Sequence, residues 1–169
     1  PFANKCRAQL VRDMGAIMSP QNAFISFLGC DTLALRMERH SSNAAKVAKF
    51  LSESDKIDWV LHPSLENNKY HALARKYLPD GQGGMLSFGV KGNVKDAAKF
   101  MEALRLVTQE THVADTRSCV LHPASTTHRQ LSKEELAAAG VPENLIRLSV
   151  GIENPDDIIE DLKQALQKI

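Results

Sequence analysis

Strand and helix signals alternate along this chain, and the alternation predicts an α/β fold. Three observations carry the prediction. Short runs rich in β-branched and apolar residues recur at Ile57–Leu61, Met85–Val90, Ser118–Leu121 and Leu145–Val150. Apolar residues at helical spacing fill the intervals between them. A long amphipathic stretch precedes the first strand. The expected architecture is an α+β-like small domain. It has about four strands, helices packed on one face of the sheet, and a long helix in front. Pattern alone leaves the strand order open.

The elements follow in chain order. Ser19-Pro20 is a helix start, with serine as N-cap and proline at the first helical position. Phe24, Phe27, Leu28, Leu35, Ala44, Val47, Ala48 and Leu51 then recur mostly at spacings of three, four and seven. Thirty residues of helix would reach about 45 Å. That exceeds the needs of a small domain, so the helix is expected to tie this domain to something else. A break is expected near Ser41-Ser42-Asn43. The strand Ile57–Leu61 ends at His62-Pro63. Asn68 to Tyr77 reads as a helix stopped before Pro79. A turn at Gly81–Gly84 leads into Met85–Val90, and Asp96 to Leu106 reads as the next helix. The strand Ser118–Leu121 also ends in His-Pro. Ser132 and Glu135 form a capping box before a short helix ending at Gly140. After Leu145–Val150, Asn154 caps the last helix and Pro155 opens it. Asp156 and Asp157 lie in its first turn and Lys163 and Lys168 toward its end, as the helix dipole favours.

Composition narrows the function classes. The 169 residues suit one domain, or one with an appendage. The formal net charge is +1, without a block of like charge, and aromatics are 5%. Nothing there suggests nucleic acid or an anionic membrane as a partner. No apolar run approaches the roughly 20 residues that span a bilayer. Cys6, Cys30 and Cys119 are odd in number and form no C-x-x-C pair, which fits thiols in a reducing cytoplasm. No secretory pattern is read at the start. The opening Pro1-Phe2-Ala3-Asn4 has no methionine and reads as a chain entered in its middle.

Four groups of residues invite chemistry. His122-Pro123-Ala124-Ser125-Thr126-Thr127-His128-Arg129 concentrates hydroxyls and imidazoles at a strand exit, where side chains can meet a ligand. From the residues alone, a turn held by hydroxyl-to-backbone bonds is the favoured reading. As a metal pair it lacks a third ligand at convincing spacing, so no metal is expected. Arg147 interrupts an apolar strand. Such a guanidinium must be paired or must reach an anion. A substrate carboxylate, held in a bidentate fork, and a salt bridge to an acidic neighbour are equal readings. Alternation places Arg147 and Ser149 on one side. The glycines of Gly81–Gly84 precede a strand, whereas a phosphate loop needs them to open a helix. His112 has no obvious local partner except Asp115.

These stretches resemble a known family. RLSVGIENPDDIIEDLKQAL (Arg147 to Leu166) and HPASTTHRQLS (His122 to Ser132) resemble the C-terminal motifs of the pyridoxal-phosphate (PLP) dependent enzymes of cysteine and methionine metabolism. RDMGAIMSPQNAFISFLGCDTLALRMERH (Arg12 to His40) resembles their segment leading into the long interdomain helix. KYLPDGQGGMLSFGVKG (Lys76 to Gly92) points toward the O-acetylhomoserine sulfhydrylase branch. The resemblance covers essentially the whole chain.

It implies the end of a fold-type-I PLP enzyme. Residues 1–50 would close the large domain and form the interdomain helix, and 51–169 would be the small C-terminal domain. The family's cofactor lysine lies in a Ser-x-Thr-Lys context, which none of the twelve lysines here shares. It would lie upstream of Pro1, together with the groups holding the phosphate. The chain alone would then be inactive, with no catalytic residue and no bound cofactor of its own. Arg147 and Thr127 match family positions that hold the substrate α-carboxylate. His112 falls where the family usually has asparagine or serine, and Ala114 replaces a common glycine. The implied reaction is γ-replacement, in which acetate leaves Cγ of O-acetylhomoserine and sulfide or a thiol adds, giving homocysteine or methionine. Cystathionine γ-synthase or γ-lyase chemistry, or a non-catalytic assembly module, are the alternatives. The implied partners are the protein's own N-terminal domain and identical subunits in a cytoplasmic homotetramer.

Overall fold

A computed structural model describes residues 1–169. The chain divides into two compact units, Pro1–Ala34 and Leu35–Ile169. The first holds α1 (Phe2–Lys5), a π-helical stretch Cys6–Val11, α2 (Arg12–Met14) and α3 (Pro20–Asp31), none with a buried residue. Ser19 caps α3 as its sequence predicts, its Oγ accepting the Asn22 N–H at 3.2 Å.

The long helix continues as α4 (Leu33–Ser52). It breaks at Thr32, where φ −106° and ψ 7° leave the helical region, and not near Ser41–Asn43. Ser42 Oγ donates back to the Arg39 carbonyl of its own helix at 3.0 Å, but the expected break is absent because the polar side chains around it bond to other segments. His40 Nδ1 donates to the Val150 carbonyl at 2.7 Å, and Asn43 Nδ2 donates to the Gly151 and Glu153 carbonyls. Ser41 Oγ accepts the Gly83 N–H at 3.2 Å.

The sheet has five strands: β1 (Ile57–Leu61), β2 (Met85–Val90), β3 (Thr108–Gln109), β4 (Cys119–Leu121) and β5 (Leu145–Ser149). Their order is β1-β2-β5-β4-β3. All neighbours pair antiparallel except β3 and β4. The expected count of about four is short by β3. Two residues are too few to show a period-two pattern.

Fold class is as expected. Leu86, Phe88, Val90, Val120, Ile146, Leu148 and Val150 point to one face of the sheet. There they meet α4, α6 (Val94–Ala103) and α8 (Pro155–Leu166) through Val47, Leu51, Phe100, Ile158 and Leu162. Phe88 and Phe100 meet edge to face at 5.8 Å. Side chains of this size each contribute roughly 1.5–3 kcal/mol when fully buried. The shorter helices α5 (His71–Tyr77) and α7 (Lys133–Ala138) bury only Ala74 and Leu136 and lie outside this core.

Caps explain most helix starts. Asn154 opens α8, and the Ser132–Glu135 box opens α7. A second box, Asn93 with Asp96, starts α6 two residues earlier than its apolar spacing indicated. That helix ends at Ala103, short of Leu106. Asp161 of α8 explains the stop. Its buried carboxylate accepts the N–H groups of Arg105, Leu106 and Val107, each at 2.9 Å, and so holds the chain out of the helix.

Candidate functional site

The face of the sheet opposite the core carries the chemistry. On β5, Arg147 and Ser149 share that face, because strand side chains alternate. Ser87 and Leu121 flank Arg147, and Met85 and Cys119 flank Ser149. Three hydrogen bonds fasten the segment 111–114 over this face. Arg147 Nη2 donates to the Thr111 carbonyl at 2.9 Å. Ser149 Oγ accepts the Ala114 N–H at 3.2 Å, and Cys119 Sγ donates to the His112 carbonyl at 3.3 Å. No Asp or Glu forms an ion pair with Arg147. Of its two sequence readings, the salt bridge is not what the structure shows.

His112 stands on the fastened segment with its side chain 58% exposed. Its Nδ1 lies 2.9 Å from Glu110 Oε2 and 3.5 Å from Asp115 Oδ2. Asp115 also accepts the Arg117 backbone N–H at 2.9 Å and faces the Arg117 guanidinium. These contacts, the backbone N–H first, hold its carboxyl below the usual carboxylate range. Burial, followed by the charges of Glu110 and Asp115, pushes the Cys119 thiol up, so it is an inert packing group.

Thr127 is placed differently. It lies on the exposed turn after the 3-10 segment Pro123–Ser125, and its Oγ1 pairs with His128 Nδ1 at 2.9 Å. The structure thus brings Arg147 and the His112 segment together, while the Thr127 hydroxyl is engaged by its neighbour.

The remaining candidates are structural. His122 is buried, with Nε2 on the Glu143 carbonyl and Nδ1 on Ser125 Oγ, both at 2.8 Å. His62, at the other His-Pro corner, does the same with the Gly83 carbonyl and Ser64 Oγ. Neither ring has a nitrogen left for a metal, and no group of three His, Cys, Asp or Glu side chains is placed to hold one. Gly83 turns at φ 82° and commits its N–H to Ser41, so the glycine cluster closes a turn.

The residues present do not fit the ring-binding side of a PLP site. All twelve lysines are exposed, and none neighbours Arg147 on the sheet. No glycine-rich turn opens a helix toward this face.

Sequence reading missed Glu110, Cys119 and the fastening role of Ser149. The acidic pair was visible as Glu-x-His-x-x-Asp at 110–115. Which atoms converge depends on the left-handed turn at Ala114, φ 58°, which a β-carbon disfavours and spacing does not reveal.

The family described as Cys/Met metabolism PLP-dependent enzymes matches residues 3–167. A homocysteine synthase of Schizosaccharomyces pombe is 47% identical over 166 residues, covering 98% of this chain and 39% of that protein. An O-acetyl-L-homoserine sulfhydrylase of Leptospira meyeri is 47% identical over 169 residues, covering 99% and 38%. A crystal structure from Campylobacter jejuni, assigned as an O-acetylhomoserine (thiol)-lyase and carrying N'-pyridoxyl-lysine-5'-monophosphate, aligns with TM-score 0.90 at 44% identity. It is matched over 98% of this chain and 39% of its own. The chain thus spans well under half the length of these relatives. With a family match across nearly its whole length, this chain belongs to the Cys/Met metabolism PLP-dependent enzymes.

Proposed function

We propose that this chain supplies the carboxylate-binding side of the substrate pocket in a PLP-dependent γ-replacement enzyme. The whole protein would make homocysteine or methionine from O-acetylhomoserine and sulfide or a thiol. One observation carries the reading. Arg147 is a half-buried residue whose guanidinium is partnered by a carbonyl and not a carboxylate. The Thr111 contact fixes its plane, and its other N–H donors remain for an anion. His112 adds an imidazole on the adjoining segment. Thr127 would join once its hydroxyl turns from His128. PLP supplies the electron sink when bound, and its lysine would come from outside these 169 residues. The chain's own residues bind and orient the amino acid, which lowers the barrier by positioning.

The test is Arg147→Ala in the whole protein. The expected outcome is a raised KM and a loss in kcat/KM worth about 2–5 kcal/mol, as for one partner removed from a charge pair. Kinetics like those of the unaltered protein would sink the assignment. Turnover of O-acetylhomoserine with sulfide, compared with cystathionine and methionine, separates γ-replacement from synthase and lyase chemistry.

Residues 1–50 would belong with the large domain and 51–169 with the small one. Exposed Phe24, Phe27 and Leu28 favour packing on that large domain and on identical subunits, consistent with a cytoplasmic homotetramer. Sedimentation of the whole protein tests the oligomer.

A further inference from the structure

Between β3 and β4 the chain crosses the face that carries Arg147. Backbone bonds hold the crossing at its two ends, the Glu110 N–H on the Val120 carbonyl at 3.1 Å and the Ile152 N–H on the Thr116 carbonyl at 2.9 Å. No backbone–backbone hydrogen bond holds residues 111–115 between them. Side chains alone fix that stretch to the sheet. They are Arg147 at the Thr111 carbonyl, Cys119 at the His112 carbonyl and Ser149 at the Ala114 N–H.

The three attachments are unequal. A thiol is a weak donor. The Arg147 side chain cannot both hold the stretch in place and take its own direction from it. That leaves Ser149, which is 2% exposed and lies on a strand paired on both sides, through Met85 and Cys119. Its hydroxyl is a fixed point. It accepts the N–H of Ala114, the one non-glycine residue with a positive φ. A left-handed alanine costs about as much as one hydrogen bond contributes, so the turn depends on the bond.

We infer that Ser149 is a positioning residue for substrate-carboxylate binding: through the Ala114 N–H it fixes the Thr111 carbonyl, and that carbonyl sets the plane of the Arg147 guanidinium. This rests on the reading of Arg147 as the carboxylate anchor. The spacing suits the role. Arg147 and Ser149 lie two residues apart on one face of β5, about 7 Å. Their bonds reach points three residues apart on the crossing segment. Two attachments prevent the swing that one would allow. A carboxylate is gripped by two parallel N–H groups in one plane. An unrestrained arginine loses rotamer freedom in offering them, and a pinned one has already lost it. Without Ser149 the Thr111 carbonyl follows the guanidinium and no longer directs it.

The experiment uses the whole PLP-loaded protein and two probes. One is 2-aminobutyrate, an amino acid with no leaving group at Cγ. The other is propylamine, the same skeleton without the carboxylate. Calorimetry gives the affinity of each. Ser149→Ala is expected to weaken 2-aminobutyrate binding about three- to tenfold, the size of one lost hydrogen bond. Propylamine binding is expected to stay within about twofold, and so is 2-aminobutyrate binding when Ser149→Ala is added to Arg147→Ala, because the effect runs through the guanidinium. In turnover, KM for the amino-acid substrate should rise while kcat holds, the mark of lost uniform binding. Ser149→Cys keeps the buried volume with a weaker acceptor and should give the same pattern if the alanine variant does not fold. A merely structural role for Ser149 would weaken both probes, or act equally in both backgrounds, and either result overturns the inference. Unchanged 2-aminobutyrate binding in Ser149→Ala, beside a loss in Arg147→Ala, overturns the positioning alone. If Arg147→Ala leaves that binding unchanged, the carboxylate reading itself fails.

Discussion

Ala114 holds φ at 58°, a conformation that brings its β-carbon against its own backbone. The strain is maintained because the Ala114 N–H must meet Ser149 Oγ while His112 stays between its two carboxylates. Ala114→Gly removes the clash and costs some unfolded-state entropy. The net expectation is a gain of about 0.5–1 kcal/mol, read as a higher denaturant midpoint. A lower midpoint would show that the β-carbon is not strained here. His62 argues for a second effect at this scale. Its fully buried ring is bonded through both nitrogens, and burial lowers its pKa. The folded state thus binds fewer protons there than the unfolded chain. The His62 contribution is complete above the unfolded value near 6.5 and is lost as pH falls toward the folded value, by at most about 1.4 kcal/mol per pH unit. Unfolding free energies between about pH 7.5 and 5.5 should show this loss, and His62→Gln should reduce it. An identical acid slope in the variant would assign the sensitivity to other groups.

Between elements, Asp161 does what apolar packing cannot. It lies on α8 and ends α6 from across the fold by accepting three consecutive N–H groups, with Gln164 bracing one oxygen. Asp161→Ala leaves those donors without a partner, and the expected loss is about 3–5 kcal/mol of stability. Asp161→Asn keeps one acceptor oxygen and should fall in between. A loss below about 1 kcal/mol for the alanine variant would mean water replaces the carboxylate. The same residue marks the limit of what the sequence discloses. Asn154, Ser132 and Ser19 were legible because a cap bonds within three residues of itself. The four longer strands were legible from local runs, and Arg147 from the apolar strand that it interrupts. Asp161 was not, since its partners lie 54 to 56 residues away. The helix break was misplaced for a like reason. Ser41-Ser42-Asn43 read locally as a helix break, yet Asn43 and the adjacent His40 bond across 108 to 110 residues to the loop after β5. At the site, the residue types that bind a carboxylate were visible, but the fastening by Ser149 and Cys119 exists only once β4 and β5 pair.

Across the whole chain, burial is divided unevenly. Every member of the hydrophobic core lies between Ala44 and Leu166, inside the unit Leu35–Ile169. The helices of residues 1–34 bury nothing, and Phe24 and Phe27 are 63% and 71% exposed. Stability and association should therefore separate along the chain. A polypeptide of residues 35–169 is expected to keep a cooperative unfolding transition within about 1 kcal/mol of that of 1–169, because removing 1–34 removes no core side chain. Association should behave in the opposite way. Apolar side chains clustered on an exposed helix favour self-contact, so the 169-residue chain alone is expected to sediment as concentration-dependent oligomers. Phe24→Ser with Phe27→Ser should weaken that association and leave the unfolding midpoint unchanged, since neither ring is part of the core. In the whole protein the same pair should disturb subunit or domain packing if these faces are covered there. A 169-residue chain that sediments as a monomer at high concentration would show that these rings are tolerated in solvent, and would remove the apolar-face support for the proposed packing on identical subunits.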